Sequence, residues 1–324
     1  MLISRLFWAI IFCFSITHFA VSQTRPLPFF TVDTTLNKKK LACVITFKSA
    51  ALGSALLVLN HYWYKEYPRS SFQFFNDGKE WMQMDKTGHT FGAYFISRWA
   101  TGLYQWSGVP RKKSAFIGAS TGLVFMSSIE VLDAFSREWG FSWWDIGANT
   151  LGSAIFIGQE LAWKEQRISI KVSAFPEKYP EGMLRNRAQQ LYGSSTLELF
   201  LKDYNALSAW ASVNIGSFIK RDSKFPKWLN VAVGYGANGM YGGFENKWCL
   251  GEDGKYENCP ETLKVDRNDI ERYRQYYLSL DVDWTKIETR RKGWKVLFNM
   301  MNLVKVPFPA LEFNRINKVR VRPF

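Results

Sequence analysis

Apolar residues recur at helical spacing in four successive runs over the first half of the chain, and the pattern then changes period. Leu41 to Tyr64 is mostly apolar and long enough to cross a bilayer, for which roughly 20 residues suffice. Pro68-Arg69-Ser70-Ser71 ends it. Asp85 to Trp106 forms a second run, stopped by Ser107-Gly108-Val109-Pro110, and Ser114 to Glu138 a third, with Arg111-Lys112-Lys113 ahead of it. Ser142 to Lys164 forms the fourth, with Ser142 as a natural N-cap and Asp145 at the third helical position. After Gln166 the period falls to two. Ile168 to Ala174, Leu229 to Tyr235 and Tyr276 to Thr285 alternate apolar with polar or small residues, which predicts strands with one apolar face. Asp203 to Ile219 fits strand or helix, Gly293 to Leu303 a short amphipathic helix, and Val319 to Phe324 a last strand.

This pattern predicts an α+β protein: a bundle of about four apolar helices over residues 23–165, then an antiparallel β-rich region over 166–324. Four to six strands are fewer than the eight of a minimal bacterial barrel. A sheet packed on the bundle is therefore expected ahead of a membrane-spanning barrel, with a partial barrel as the variant. Small residues four apart (Gly88 and Gly92, Gly118 and Gly122, Ala148 and Gly152) predict close approach of the helix backbones.

Acidic and amide residues interrupt the apolar helices at matching spacings. Asp85 and His89 are four apart on one helical face, Glu130 and Asp133 three apart, and Asp145 and Asn149 four apart in a stripe with Gly152. Desolvating an unpaired charge costs several kcal/mol or more, so these groups need one another, a ligand or water. Arg98 lies on the far side of its helix from His89, and Glu160 lies off the Asp145 stripe. Three readings fit such a centre. One is a buried network that fixes helix register. Another is a ligand or metal pocket, whose oxygens and single imidazole suit Mn, Mg or Ca more than zinc. The last is chemistry on a lipid or phosphate, with His89 as base beside a carboxylate. No Gly-x-Ser-x-Gly elbow, His-Glu-x-x-His pair or phosphate-cradling glycine loop supports a standard mechanism. Enzymatic activity and any cofactor are left open.

Composition sets the compartment. Residues 1–22 read as a secretory signal peptide, with Arg5 before an apolar run from Leu6 to Ala20. Cys13 lies inside that run and not at the cleavage point, which does not support a lipid-anchored N-terminus. Cys249 and Cys259 flank a polar, turn-rich loop and suit a loop-closing disulfide in an oxidising envelope compartment. Cys43, in an apolar helix, reads as a buried thiol. The net charge of +14 and the 14 tryptophans point to membrane lipids or envelope proteins as partners. No basic, aromatic-interleaved motif points to nucleic acid.

The residues Asp85-Lys86-x-x-His89, Glu130-x-x-Asp133, Gly140-Phe141-Ser142-Trp143-x-Asp145 and Asn149-x-x-Gly152 resemble the DUF2279 family of predicted periplasmic lipoproteins (the YfiM-like group). The likeness extends through Gln159-Glu160-x-x-Trp163. Lys202-Asp203-Tyr204-Asn205 and Phe225-Pro226-Lys227-Trp228-Leu229 resemble the longer, Bacteroidota-type members. The resemblance implies a cell-envelope protein of uncharacterised function and brings no established catalytic residues. The chain departs from the family label in lacking a lipobox cysteine. The expectation is an exported protein of the outer membrane or periplasm, the inner membrane being the alternative, with a structural or interaction role. The competing class is an envelope lipid- or phosphate-directed hydrolase or transferase built on the His–carboxylate centre.

Overall fold

The computed structural model describes residues 35–61, 68–219, 224–250, 256, 258–289 and 291–322. The signal-peptide reading of 1–22, the end of the first apolar run at Tyr64 and the C-terminal Phe324 lie outside the described residues.

Four long helices come first: α1 (Lys38–Leu59), α2 (Met84–Trp106), α3 (Arg111–Asp133) and α4 (Trp143–Ala162). Their limits differ from the apolar periodicity where polar groups act. Asn37 accepts from the Lys40 amide, so α1 starts before its apolar stretch. The third helix ends at Asp133 and not at Glu138. There Gln73 reaches across to donate to the Ser136 and Trp139 carbonyls, which holds the chain in a turn. Ser142 caps α4 as expected, its hydroxyl accepting from the Asp145 amide at 3.1 Å.

Helices α2, α3 and α4 pack on one another through small residues. A side chain at Gly118 or Gly122 would strike the α2 backbone at Ser97 and Ala93, and one at Gly152 the Thr90 carbonyl. These three glycines set the helix spacing, whereas Gly88 has open space beside it. Helix α1 touches the bundle through Val44, which packs with Tyr104 and Val109. Cys43 is exposed on it, contrary to the buried thiol expected, because α1 presents only this narrow contact to the bundle. Both α1 and α3 are long and apolar enough to cross a membrane by length and composition, and the apolar stretch of α1 is almost wholly exposed.

The remainder builds β1 (Ile168–Ala174), α5 (Met183–Tyr192), α6 (Thr196–Lys202), β2 (Leu207–Asn214), β3 (Leu229–Asn238), β4 (Lys247–Cys249), β5 (Lys264–Asp266), β6 (Tyr273–Val282), α7 (Lys292–Met301), β7 (Ala310–Asn314) and β8 (Lys318–Arg322). Six strands form one antiparallel meander in the order β1-β2-β3-β6-β7-β8, while β4 and β5 pair separately beside the Cys249–Cys259 disulfide. The fold is α+β as expected, with a bundle and an antiparallel sheet.

The sheet is polar inside and apolar outside. Lys171 and Asp281, both wholly buried, pair at 2.7 Å, and Ser212 donates to the same carboxylate. Asn230 donates to Ser212, and Asn214 to Asn230. Trp210 donates to Ser173, and Gln275 to Glu312. Every buried polar group in this chain of contacts finds a partner, which makes such a core tolerable. The edges curl toward each other around it. Val172 bonds the segment 303–305 on the outer side of β1, and Arg322 at the end of β8 stands 3.5 Å from Glu177, just past β1. The outer residues of β1 meet the bundle, where Ile170 packs on Tyr94 and Phe156. On β3, β6, β7 and β8 the outer side chains Val233, Leu278, Leu280, Leu311, Val319 and Val321 remain exposed.

Candidate functional site

The polar centre lies where the first turns of α2 and α4 meet the last turn of α3. It is entered through a strained turn: Trp81, Met82 and Gln83 have φ of 47°, 50° and 65°, left-handed values that cost about 1–2 kcal/mol per non-glycine residue. The turn is held by outside partners. Trp81 donates its amide to the Gly243 carbonyl, Tyr235 donates to the Met82 carbonyl, and Arg274 donates to the Gln83 side chain. This geometry starts α2 one residue before Asp85 and places Lys86 and His89 toward α3 and α4.

Lys86 is the hub. Its ammonium lies 2.7 Å from Asp77, 2.9 Å from Asp85 and 2.7 Å from Asp145. Ser142 donates to Asp77 at 2.5 Å while capping α4, and Tyr204 donates to Asp85 at 2.9 Å. His89 stands beside this set. Its Nε2 is 3.8 Å from both Asp85 and Asp145, and its Nδ1 is 3.1 Å from Asn149 Oδ1 and 3.5 Å from Glu130 Oε1. Glu130 Oε1 and Asn149 Nδ2 are buried without a hydrogen bond, and Asp145 Oδ1 touches Lys86 without hydrogen-bond geometry.

The protonation pattern follows from one ammonium serving several carboxyls. Burial, then the Asp85 charge and the hydrogen bond with Asp77, push Asp145 up to about 10, so it is held as the acid. Burial opposes ionisation of Asp77 too, but the bonds from Asp145, Lys86 and Ser142 outweigh it and lower its pKa. Burial would likewise raise Asp85, yet His89, Lys86 and the Tyr204 hydroxyl draw it down to about 2. Lys86 is held above the usual lysine range, since Asp85 and Asp145 outweigh its desolvation. Just outside, burial and then the charges of Asp85 and Asp77 lift Glu80 to about 8.

Of the residues expected from spacing, Asp85, His89, Glu130, Asp145 and Asn149 converge. Asp133 is half-buried in the last turn of α3, where its charge acts on Glu130. Glu160 pairs with Arg111 and accepts from Gln166, away from the centre. Arg98 is also elsewhere, donating to Asn299. Spacing missed Asp77, Lys86 and Tyr204. Lys86 stood in plain view beside Asp85, but residues one apart on a helix do not face each other, so periodicity gives it no role.

Asp85, His89 and Asp145 each offer a ligand atom within 4.8 Å of the others, and two carboxylates with one imidazole suit Mg, Mn or Ca. Lys86 argues against that use. Its ammonium already sits at Asp145 Oδ1, so a metal sharing that oxygen would face a fixed positive charge. A phosphate substrate meets the opposite difficulty, because the carboxyls outnumber the cations and Lys86 is spent on three of them. The arrangement is best suited to tying α2, α3, α4 and Tyr204 into one register.

A DUF2279 family model, described as a predicted periplasmic lipoprotein, matches residues 73–157. That span contains Asp77, the strained turn, α2, α3 and most of α4, so the likeness to DUF2279 lies in the segment that builds the polar centre. The family's description as periplasmic supports an exported, periplasmic localisation. No curated protein and no solved structure matches the chain.

Proposed function

We propose that this protein has a structural or interaction role in the cell envelope, with its curled sheet seated against the lipid of the outer membrane. The observation that carries the reading is the inverted sheet. A strand packed on a soluble core buries its apolar side chains, whereas here Ser169, Lys171, Ser212, Asn230, Gln275, Asp281 and Glu312 are buried and their apolar neighbours face outward. Polar-in, apolar-out alternation is the pattern of a sheet whose surroundings are acyl chains.

The outward side chains form continuous rows across the strands. Val233, Leu278, Leu311 and Val321 are register partners in one row, and Tyr235, Tyr276, Phe313 and Val319 in the next. At the polar-centre end of the bundle, Phe72, Phe74, Phe141 and Trp143 pack ring against ring, and Phe72, Phe74 and Trp143 are exposed, as side chains at a membrane interface often are. The Cys249–Cys259 disulfide agrees with an oxidising compartment. In this reading the Lys86 cluster is the internal fastening of the bundle that carries the sheet.

The deciding experiment is fractionation of the tagged full-length protein on a density gradient, followed by a carbonate wash. Recovery in the outer-membrane fraction, resistant to the wash and released by detergent, is the expected result. Recovery as a soluble periplasmic protein overturns the lipid contact, and recovery with the inner membrane overturns the placement.

A further inference from the structure

Outer positions along β6 change character in order. Arg274 comes first, then Tyr276, then Leu278 and Leu280, all on the same face because alternate residues of a strand share a side, and Arg272 stands just ahead of the strand. On the neighbouring strand Leu311 pairs with Leu278 and Phe313 with Tyr276, Arg315 follows just past its end, and Lys318 opens β8 as the register partner of Asn314. Aliphatic and aromatic rows are thus stacked in register across adjacent strands, and cations gather at the strand ends beyond the aromatic row. This is the order of headgroup, interface and acyl chain in a lipid.

At the cationic end lies a cavity of about 420 Å³, lined by Met82, Arg272, Arg274, Tyr276, Phe313 and Lys318 among others. Arg272 donates one guanidinium nitrogen to the Gly243 carbonyl, and its Nη1 is enclosed with no hydrogen-bond partner. Arg274 is fixed by the Tyr235 hydroxyl and by Gln83, at the strained turn that starts α2. The acidic groups nearby are Glu271, 3.4 Å from the exposed Arg315, and Glu245 and Glu80, which act on Arg272. The four cations outnumber them. A buried guanidinium nitrogen left without an acceptor is costly, and a nearby anionic charge offsets part of that cost.

We propose that this strand-end cavity binds the phosphate headgroup of an anionic lipid, whose acyl chains run down the Tyr276–Leu278–Leu280 face. The inference rests on the lipid-facing reading of the sheet and adds to it a specific headgroup site. Phosphate oxygens meet Arg274, with Arg315 and Lys318 closing the outer side and the enclosed Arg272 charge behind the cavity wall adding to the attraction. The aromatic row of Tyr276 and Phe313 lies at the glycerol level.

Two measurements on the full-length, detergent-purified protein test it. The first is flotation with vesicles of phosphatidylcholine alone. If the wild type does not float with them, the lipid-facing sheet itself is wrong. The second is native mass spectrometry of micelles titrated with phosphatidylglycerol, compared with phosphatidylcholine. Arg315→Glu/Lys318→Glu is expected to weaken phosphatidylglycerol binding roughly tenfold or more, on the scale of one headgroup contact per basic residue. Lys112→Glu/Lys113→Glu, which makes the same change of net charge at the start of α3, should leave it within about twofold. Equal loss in both variants reduces the effect to general surface charge and overturns the site. Arg274→Gln, which keeps hydrogen-bonding capacity but removes the charge, is the second probe, and unchanged binding there and in the double variant also overturns it. Inorganic phosphate should not displace the lipid at equal concentration. If it does, the site takes free phosphate and the lipid assignment fails.

Discussion

At the residue scale, the chain uses one lysine to tie α2 to α4 and to the loop that carries Asp77. Lys86 contacts three carboxyls with little exposure of its own. Replacing it with methionine keeps the bulk and removes the compensating charge, which costs about 3–5 kcal/mol when buried acids are left unpaired. Denaturant unfolding in detergent measures this, and a loss under about 1 kcal/mol would show that the cluster is relaxed by water. Asp145 behaves differently because it is held as the acid. Its folded pKa of about 10 lies above the ordinary 3.8, so its contribution is full below 3.8 and is lost as pH rises toward about 10. Asp145→Asn keeps a donor for Asp77 without a proton to lose. The asparagine variant should therefore match the wild type near pH 4 and gain on it steadily toward pH 9. Parallel stability curves would mean that Asp145 is ionised in the fold. Spacing alone revealed the stripes but not this division of labour, since Asp77 lies in a loop with no periodicity and Tyr204 comes from a different part of the chain.

At the element scale, glycine spacing predicted close helix packing, and the structure divides those glycines by function. Gly118 lies against the Ser97 carbonyl and the Thr101 side chain, whereas Gly88 faces open space. Gly118→Leu is expected to destabilise the bundle by about 3 kcal/mol through overpacking. Gly88→Ala should stabilise it by about 0.5–1 kcal/mol, because alanine loses less entropy in a helix. Thermal unfolding of the two variants checks both signs, and destabilisation by Gly88→Ala would place an unseen neighbour there. The strands were legible in a more limited way. The limits of β1 agree residue for residue with the alternation from Ile168 to Ala174. Alternation has two faces, however, and nothing local says which is inside. That choice is made by partners far apart in the chain, Lys171 with Asp281 and Gln275 with Glu312. Helices α5 and α6 and strands β4, β5 and β7 also escaped, being short elements whose apolar pattern spans only a turn or a few residues.

At the scale of the whole molecule, the polar centre and the sheet are mechanically joined. Tyr204 ties Asp85 to the start of β2, and Tyr235 and Arg274 hold the turn before α2 from the outer face of β3 and β6. The fixed register of the helices thus sets where the sheet's apolar face points. If that face meets lipid, a charge in its middle row must be expensive. Leu278→Arg should cost about 2–4 kcal/mol in a bilayer, the range for a cation on a lipid-facing strand near the midplane. Leu278→Ala, which keeps the face apolar, should cost less. The arginine variant is expected to fall in yield in the membrane fraction while the alanine variant stays there. In water the same arginine would be harmless or would improve solubility, since Leu278 is already 42% exposed. An arginine variant as stable and as membrane-bound as the wild type would place the row in water and remove the argument drawn from the inverted sheet.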